Sequence, residues 1–469
     1  MCEAHILVIP FPAQGHVIPL MKLSHQLVKH GIKVTFVNID FVHNQIMKSS
    51  LGEGVADHNN NNKDAMIELV SIPDGLEDGD NRSLLLGKLT ESTCKVMPKK
   101  LEMLIEDINK SNNNNNNNNG NKISCLVIDE NFGWGIEVAK KMGIRAVAFW
   151  PASASLLALH FNIQKLLDDG LIVANDGTPA KDEAIQLGPM MPIKTREFPW
   201  ACLGDKNTQH TVFNLTKRNN ISVKLADWII CNTNYDYEPA TFDFAPQIIP
   251  IGPLLATNNH VGSFWPEDSS CLNWLDQQET NSVIYVAFGS VTIFDHSQLQ
   301  ELALGLELSN RPFLLVIRAD INNGKNQSFL KEFEERVFPF GKVVQWAPQE
   351  KVLSHPSIAC FISHCGWNST MEGVVNGVPF LCWPYFADQF FNQTLICDVW
   401  KVGLRLVPMD GIIITREEIA CKIQKLFHEG EFKVMAMERK NSTINSIKEG
   451  GSSNRNFNRF VEWIKAYNY

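Results

Sequence analysis

The first half of the chain alternates short apolar runs with stretches of helical period. HILVIP (5–10), KVTFVNI (33–39), IELVSI (67–72), ISCLVID (123–129), RAVAFW (145–150) and DWIICNT (227–233) read as strands. Strands separated by helices point to a parallel sheet wound on both faces. Between them, VIPLMKLSHQLVKHG (17–31) and WGIEVAKKMG (134–143) are amphipathic and stop at Gly31 and Gly143, as helices commonly do. A second series follows: SVIYVAFGS (282–290), PFLLVIR (312–318), KVVQWA (342–347), IACFISH (358–364) and VPFLCWP (378–384). This pattern predicts an α/β fold of two doubly wound, Rossmann-like domains facing a central cleft.

The expected boundaries are 1–255 for the first domain, 256–270 for a polar linker and 271–450 for the second domain. Residues 451–469 form an amphipathic helix expected to pack back on the first domain. HNNNNK (58–63) and the octa-asparagine run 112–119 have nothing to bury and read as disordered loop insertions. Residues 170–222 show little periodicity and read as a long connection.

Composition narrows the function classes. With 44% apolar and 20% charged residues in 469, the chain has the balance of a globular protein. Its net charge of −9, without a run of five like charges, argues against a nucleic-acid or anionic-membrane partner. No stretch approaches the ~18 apolar residues of a membrane span. Eleven cysteines, an odd number without CxxC spacing, fit free thiols in a reducing cytosol. A cytoplasmic monomer is the expectation.

The chemistry is densest in WAPQEKVLSHPSIACFISHCGWNSTMEGVVNGVPFLCWPYFADQ, residues 346–389. A strand ending at His364 runs through Gly366 into a helix opened by Asn368 and Ser369. Backbone amides and the positive end of that helix suit a phosphate, to which His364, Asn368 and Ser369 can donate. Glu372, one turn after Asn368, can accept from ribose hydroxyls. Asp388 and Gln389 follow another strand end and can hold a sugar, and Trp346 can stack on a base. Each has a plainer reading: Asn or Ser opening a helix is usually an N-cap. His364-Cys365 lacks a second ligand cluster, so no metal site is expected. His16, after the strand 5–10 and Gly15, reads on its own as a ligand, a catalytic base or a polar residue at a helix start.

Taken together, the 44 residues of this block closely resemble the donor-binding signature of plant family 1 UDP-glycosyltransferases, and the resemblance runs from PFPAQGH to the C-terminal helix. Within the family the chain looks most like the 83A group. The resemblance implies a GT-B fold, UDP-glucose as co-substrate, no cofactor or metal, and inversion at the anomeric carbon. It implies that Trp346 stacks on uracil and the backbone of Ala347 binds its edge. Gln349 and Glu372 would hold the ribose; Ser290, His364, Asn368 and Ser369 the diphosphate; Trp367, Asp388 and Gln389 the sugar. Gln389 is the residue that usually accompanies glucose donors.

The same resemblance makes His16 the general base and Asp129 its carboxylate partner, the acceptor's hydroxyl standing where a serine stands in a Ser-His-Asp triad. A small lipophilic acceptor would lie against His16, Phe132, Phe149, Trp150, Ala387 and the 190–200 segment, although those aromatic rings equally suit a core. One departure concerns Pro151, at a position where many members carry a sugar-contacting Thr; proline cannot donate. His5, His25 and His30 read as solvated or capping. Asp78-Gly-Asp80, a DxD, reads as a solvated loop. Two rivals remain open here: a catalytically silent or other nucleotide-ligand-binding protein of the same fold, and a dinucleotide-dependent oxidoreductase. The latter is disfavoured because no GxGxxG follows a strand.

Overall fold

The computed structural model describes residues 4–51, 66–77, 79–80, 82, 86–114, 122–255, 267–290, 292–319, 324–409, 411 and 413–466. The chain divides into two compact units, Met1–Trp265 with Ser446–Tyr469, and Pro266–Asn445. HNNNNK, residues 256–266 of the stretch read as a linker, and Asp78 lie outside the described residues. The first three asparagines of the octa-asparagine run (112–114) continue the helix Leu86–Asn114, and the rest lie outside.

Among the described residues, the first unit is built on a seven-stranded parallel sheet. Its strands are β1 (His5–Ile9), β2 (Lys33–Ile39), β3 (Ile67–Ile72), β4 (Ile123–Asp129) and β5 (Arg145–Trp150). After a small antiparallel pair, β6 (Ala184–Ile185) with β7 (Ile193–Lys194), come β8 (Trp228–Cys231) and β9 (Ile248–Pro250). The spatial order is β3-β2-β1-β4-β5-β8-β9. Every residue of β1 and β4 is buried, which is why both read as nearly unbroken apolar runs. His5 sits inside this layer: it is fully buried, with Nε2 2.9 Å from Thr35 Oγ1, so the expectation of a solvated or capping role was wrong for it. A strand-start histidine becomes a core residue when a neighbouring hydroxyl satisfies its ring.

The second unit carries a six-stranded parallel sheet among its described residues. Its strands are β10 (Val283–Ala287), β11 (Phe313–Val316), β12 (Gly341–Val344), β13 (Ile358–Ser363), β14 (Phe380–Cys382) and β15 (Gly403–Arg405), in the order β12-β11-β10-β13-β14-β15. Both sheets reverse strand order once, between β1 and β4 and between β10 and β13. Such a reversal is where ligands of doubly wound sheets bind.

Helices cover the faces of the sheets. The helix Gln14–Lys29 opens one turn earlier than its apolar period suggested, so His16 lies in its first turn. Gly31 and Gly143, just past two helix ends, have φ of +75° and +70°, the left-handed conformation that closes a helix at little cost only for glycine. Part of the 170–222 connection is the helix Lys206–Ser222, capped by Asp205, which accepts from the Thr208 amide at 2.9 Å. The C-terminal helix Ser452–Lys465 buries Phe457, Phe460, Val461 and Ile464 in the core of the first unit. Arg145 donates to the carbonyls of Trp463 and Ile464 at 2.7 and 2.8 Å, satisfying acceptors that the helix end leaves over.

The helix Ala154–Phe161 takes its N-cap from another part of the chain. The buried Glu238 carboxylate accepts from the amides of Ala154 (3.0 Å) and Ser155 (2.9 Å) and from the Ser153 and Thr233 hydroxyls. The burial of this carboxyl group is tolerated because four donors and a helix N-terminus meet it. Glu238→Ala strands those donors, and the expected cost is about 2–3 kcal/mol, read as a lowered thermal midpoint. A midpoint within 1 °C of the parent, about the reach of a negligible ΔΔG, would contradict it.

Candidate active site

In the first unit, Asp129 ends β4 and His16 follows β1, so the two flank the order reversal of the sheet. Strand register sets Ile9 beside Ile128, and the next residue of β4 is Asp129. Asp129 is fully buried, and each of its oxygens is engaged. Oδ1 accepts from the amide and the Nδ2 of Asn131, both at 3.0 Å, and Oδ2 lies 2.7 Å from His16 Nδ1. A carboxylate only accepts, so the shared proton sits on Nδ1, leaving Nε2 as the basic nitrogen. The His16 side chain is 25% exposed, which a base that meets a substrate requires. The adjacent Glu130 is also buried, and burial together with the Asp129 charge raises its carboxyl to about 8.

In the second unit, β10 is followed by Gly289-Ser290 and β13 by His364, again on either side of a reversal. Gly289 has φ of +68°, and a Cβ on either Gly289 or Gly366 would collide with the His364 ring wedged between them. Burial lowers the His364 pKa to about 4, against an opposing hydrogen bond to the Ala287 backbone and with help from Arg318, so the imidazole is neutral at pH 7. The helix Trp367–Asn376 begins immediately afterwards with Gly366 as its N-cap, a position whose side chain offers no cap.

Gln349, Ser369 and Glu372 form one network: Gln349 Nε2 lies 2.8 Å from both Ser369 Oγ and Glu372 Oε2. Behind it, the buried Tyr285 donates to Gln349 Oε1 at 3.3 Å. Trp346 is half-buried, with its carbonyl accepting from the Asp268 amide, and Ala347 is buried. Asn368 and Ser290 are half-buried. Trp367 is 4% exposed and packs near Trp400, so its ring belongs to the core. Gln389 is buried, and its Oε1 accepts from the amides of Tyr385 (2.8 Å) and Phe386 (2.9 Å). Asp388 and Ala387 are half-buried, the latter at φ of +50°.

The aromatic residues expected along the acceptor are buried. Phe132 and Phe149 have no exposed surface, and Trp150, Met190, Phe198 and Trp200 are buried as well. Their rings pack together, Phe132 with Trp134 and Phe198 with Trp200, both at 5.0 Å, as a core does. Phe11, which sequence reasoning passed over, has its ring 5.2 Å from His16. Asn131 and Arg318 were also missed. Asn131, two residues after Asp129, carries the spacing of a local Asx turn. Arg318, which ends the run PFLLVIR, donates to the carbonyls of Gly289 (3.2 Å) and Thr292 (2.9 Å). Of the DxD, Asp80 pairs with Lys88 at 2.8 Å.

Two Rossmann-like parallel sheets with these features at their reversals define the GT-B class of nucleotide-sugar glycosyltransferases. The family model "UDP-glucoronosyl and UDP-glucosyl transferase" matches residues 236–445, and "Glycosyltransferase, N-terminal domain" matches 3–59. The chain is 46% identical to UDP-glycosyltransferase 83A1 of Arabidopsis thaliana, over 99% of this chain and 98% of the relative. It is 32% identical to 7-deoxyloganetin glucosyltransferase of Catharanthus roseus, over 99% and 97%. Among solved structures, a UDP-glucosyltransferase from Polygonum tinctorium capable of glucosylating indoxyl superposes with a TM-score of 0.80 at 25% identity, covering all of both chains. Os79 from O. sativa in complex with UDP superposes with a TM-score of 0.79 at 23% identity, over 98% and 100%. The chain belongs to the plant UDP-glycosyltransferase family.

The His364 environment has a consequence for stability. Between about pH 6.5 and 4 the unfolded chain holds a proton on this histidine and the folded chain does not, so acidification through that window favours unfolding. His160, lowered to about 3 by burial, acts in the same direction. Urea midpoints at pH 7 and pH 5 should differ less for His364→Gln than for the parent; an unchanged difference would contradict the assignment.

Proposed function

We propose that this enzyme transfers glucose from UDP-glucose to a hydroxyl of a small lipophilic acceptor, with inversion at the anomeric carbon and His16 as general base. The observation that carries the reading is the 2.7 Å contact between His16 Nδ1 and a fully buried Asp129. In this reading the acceptor hydroxyl gives its proton to His16 Nε2 as its oxygen attacks C1, and the bond from C1 to the diphosphate breaks. Asp129 stabilises the imidazolium that forms. One direct displacement turns the α-linked donor into a β-linked product.

The donor half of the reaction falls to the second unit. Trp346 and Ala347 take the uracil, and Gln349 and Glu372 the ribose. Ser290, His364, Asn368 and Ser369 take the diphosphate, whose growing negative charge the helix N-terminus at Trp367 favours. Asp388 and the NH₂ end of Gln389 take the sugar, Trp367 contributing through its backbone since its ring is in the core. No metal or cofactor enters this reading. A small lipophilic acceptor is supported by the names of two relatives, one a 7-deoxyloganetin glucosyltransferase and one capable of glucosylating indoxyl. The reaction is read as cytosolic and carried out by a monomer.

His16→Ala should lower kcat by about 10²–10⁴ while the dissociation constant of UDP stays within a few-fold. Undiminished turnover of UDP-glucose with a panel of phenolic and terpenoid acceptors would remove the base from the mechanism. Glu372→Ala should weaken UDP roughly 10- to 100-fold in calorimetry, the size of lost hydrogen bonds to a charged group. An unaltered isotherm would rule out its ribose contact.

A further inference from the structure

Asn392 lies in the short helix Gln389–Thr394 and has no exposed surface. Its Nδ2 donates to the Cys365 carbonyl at 2.9 Å and to Asp388 Oδ2 at 2.8 Å. One buried amide therefore joins the turn after β13 to the loop after β14, two segments that are 27 and 4 residues away in sequence from Asn392.

Both segments need holding. Cys365 has φ of +65° and Ala387, immediately before Asp388, has φ of +50°, a region that costs energy for any residue with a Cβ. The Cys365 amide is met by Ser363 Oγ at 3.0 Å, and its carbonyl by Asn392. The Asp388 carboxylate is half-buried and rotates about a soft terminal torsion, so a charge-assisted hydrogen bond from a fixed donor selects one orientation. The site calls for a neutral donor of asparagine's length. Aspartate would set a second anion against Asp388 and a carbonyl, and leucine would leave both acceptors facing a hydrocarbon.

We infer that Asn392 is a positioning residue for the donor sugar: it fixes the Asp388 carboxylate relative to the Cys365 turn. Asn392 touches no part of the donor and acts through Asp388. The inference rests on the reading of Asp388 as a sugar ligand.

A double-mutant cycle on the full chain tests it, with dissociation constants for UDP-glucose and UDP measured by calorimetry for the parent, Asn392→Ala, Asp388→Ala and the double variant. Asn392→Ala is expected to weaken UDP-glucose about tenfold, the size of one hydrogen bond to a charged group, and to weaken UDP much less. In the Asp388→Ala background the same substitution should change UDP-glucose affinity by less than about twofold, because the carboxylate through which it acts on the sugar is gone and only its bond to the Cys365 carbonyl remains to be lost. An undiminished effect in that background, or equal losses for UDP and UDP-glucose, would overturn the inference while leaving Asp388 a sugar ligand. An unchanged UDP-glucose affinity in Asp388→Ala alone would overturn both. If Asn392→Ala does not fold, Asn392→Ser, which is too short to reach both acceptors, runs the same cycle.

Discussion

A carboxyl group buried at the end of a sheet is costly unless every oxygen is met, and Asp129 is the case on which the first unit turns. It ends an entirely buried strand, and its two oxygens are taken by Asn131 on one side and His16 on the other. The pairing holds the imidazole to one tautomer and one orientation, with the second ring nitrogen left basic. For this contact to form, the helix after β1 must open early enough to carry His16 in its first turn. β4 must also lie beside β1, although 113 residues separate the two side chains along the chain.

The parallel, doubly wound topology meets those conditions. Strands that all run one way gather their C-terminal ends along one edge, and a single reversal of order opens a gap where two chain segments approach without a helix crossing between them. The chain uses this device twice. In the first unit the gap is flanked by a histidine and a carboxylate. In the second it is flanked by a glycine turn, a neutral histidine and a helix N-terminus, features that accept an anion. The two proposed roles, proton transfer and diphosphate binding, would thus rest on one architectural rule applied to different residues.

Much of this was legible in the sequence because parallel strands buried on both faces cannot alternate polar and apolar positions; β2 to β5 were found to the residue. The three-residue strands β9 and β15 were not picked out, whereas β14, equally short, lies in the longer apolar run VPFLCWP. The helix Lys206–Ser222 escaped notice because most of its residues are polar and only Phe213 and three polar positions are buried. In residues 346–389 the residue types pointed to phosphate and sugar chemistry, yet the contacts that residues outside this block make to backbone carbonyls were invisible. Arg318 acts on the carbonyls of Gly289 and Thr292, and Asn392 on that of Cys365. The aromatic rings of residues 132–200 are compatible in sequence with either a wall or a core, and Phe132, Phe149, Trp150, Phe198 and Trp200 are buried.

The proposed mechanism is a single displacement at the sugar's anomeric carbon, driven by a base that a buried carboxylate holds. The configuration of the product reports on that claim most directly. The purified enzyme would be supplied with UDP-glucose and a hydroxylated acceptor that it turns over, and the anomeric proton coupling of the glucoside read by NMR. The account predicts a β-glucoside from the α-linked donor. An α-glucoside would require a covalent intermediate or a different displacement, and would contradict it.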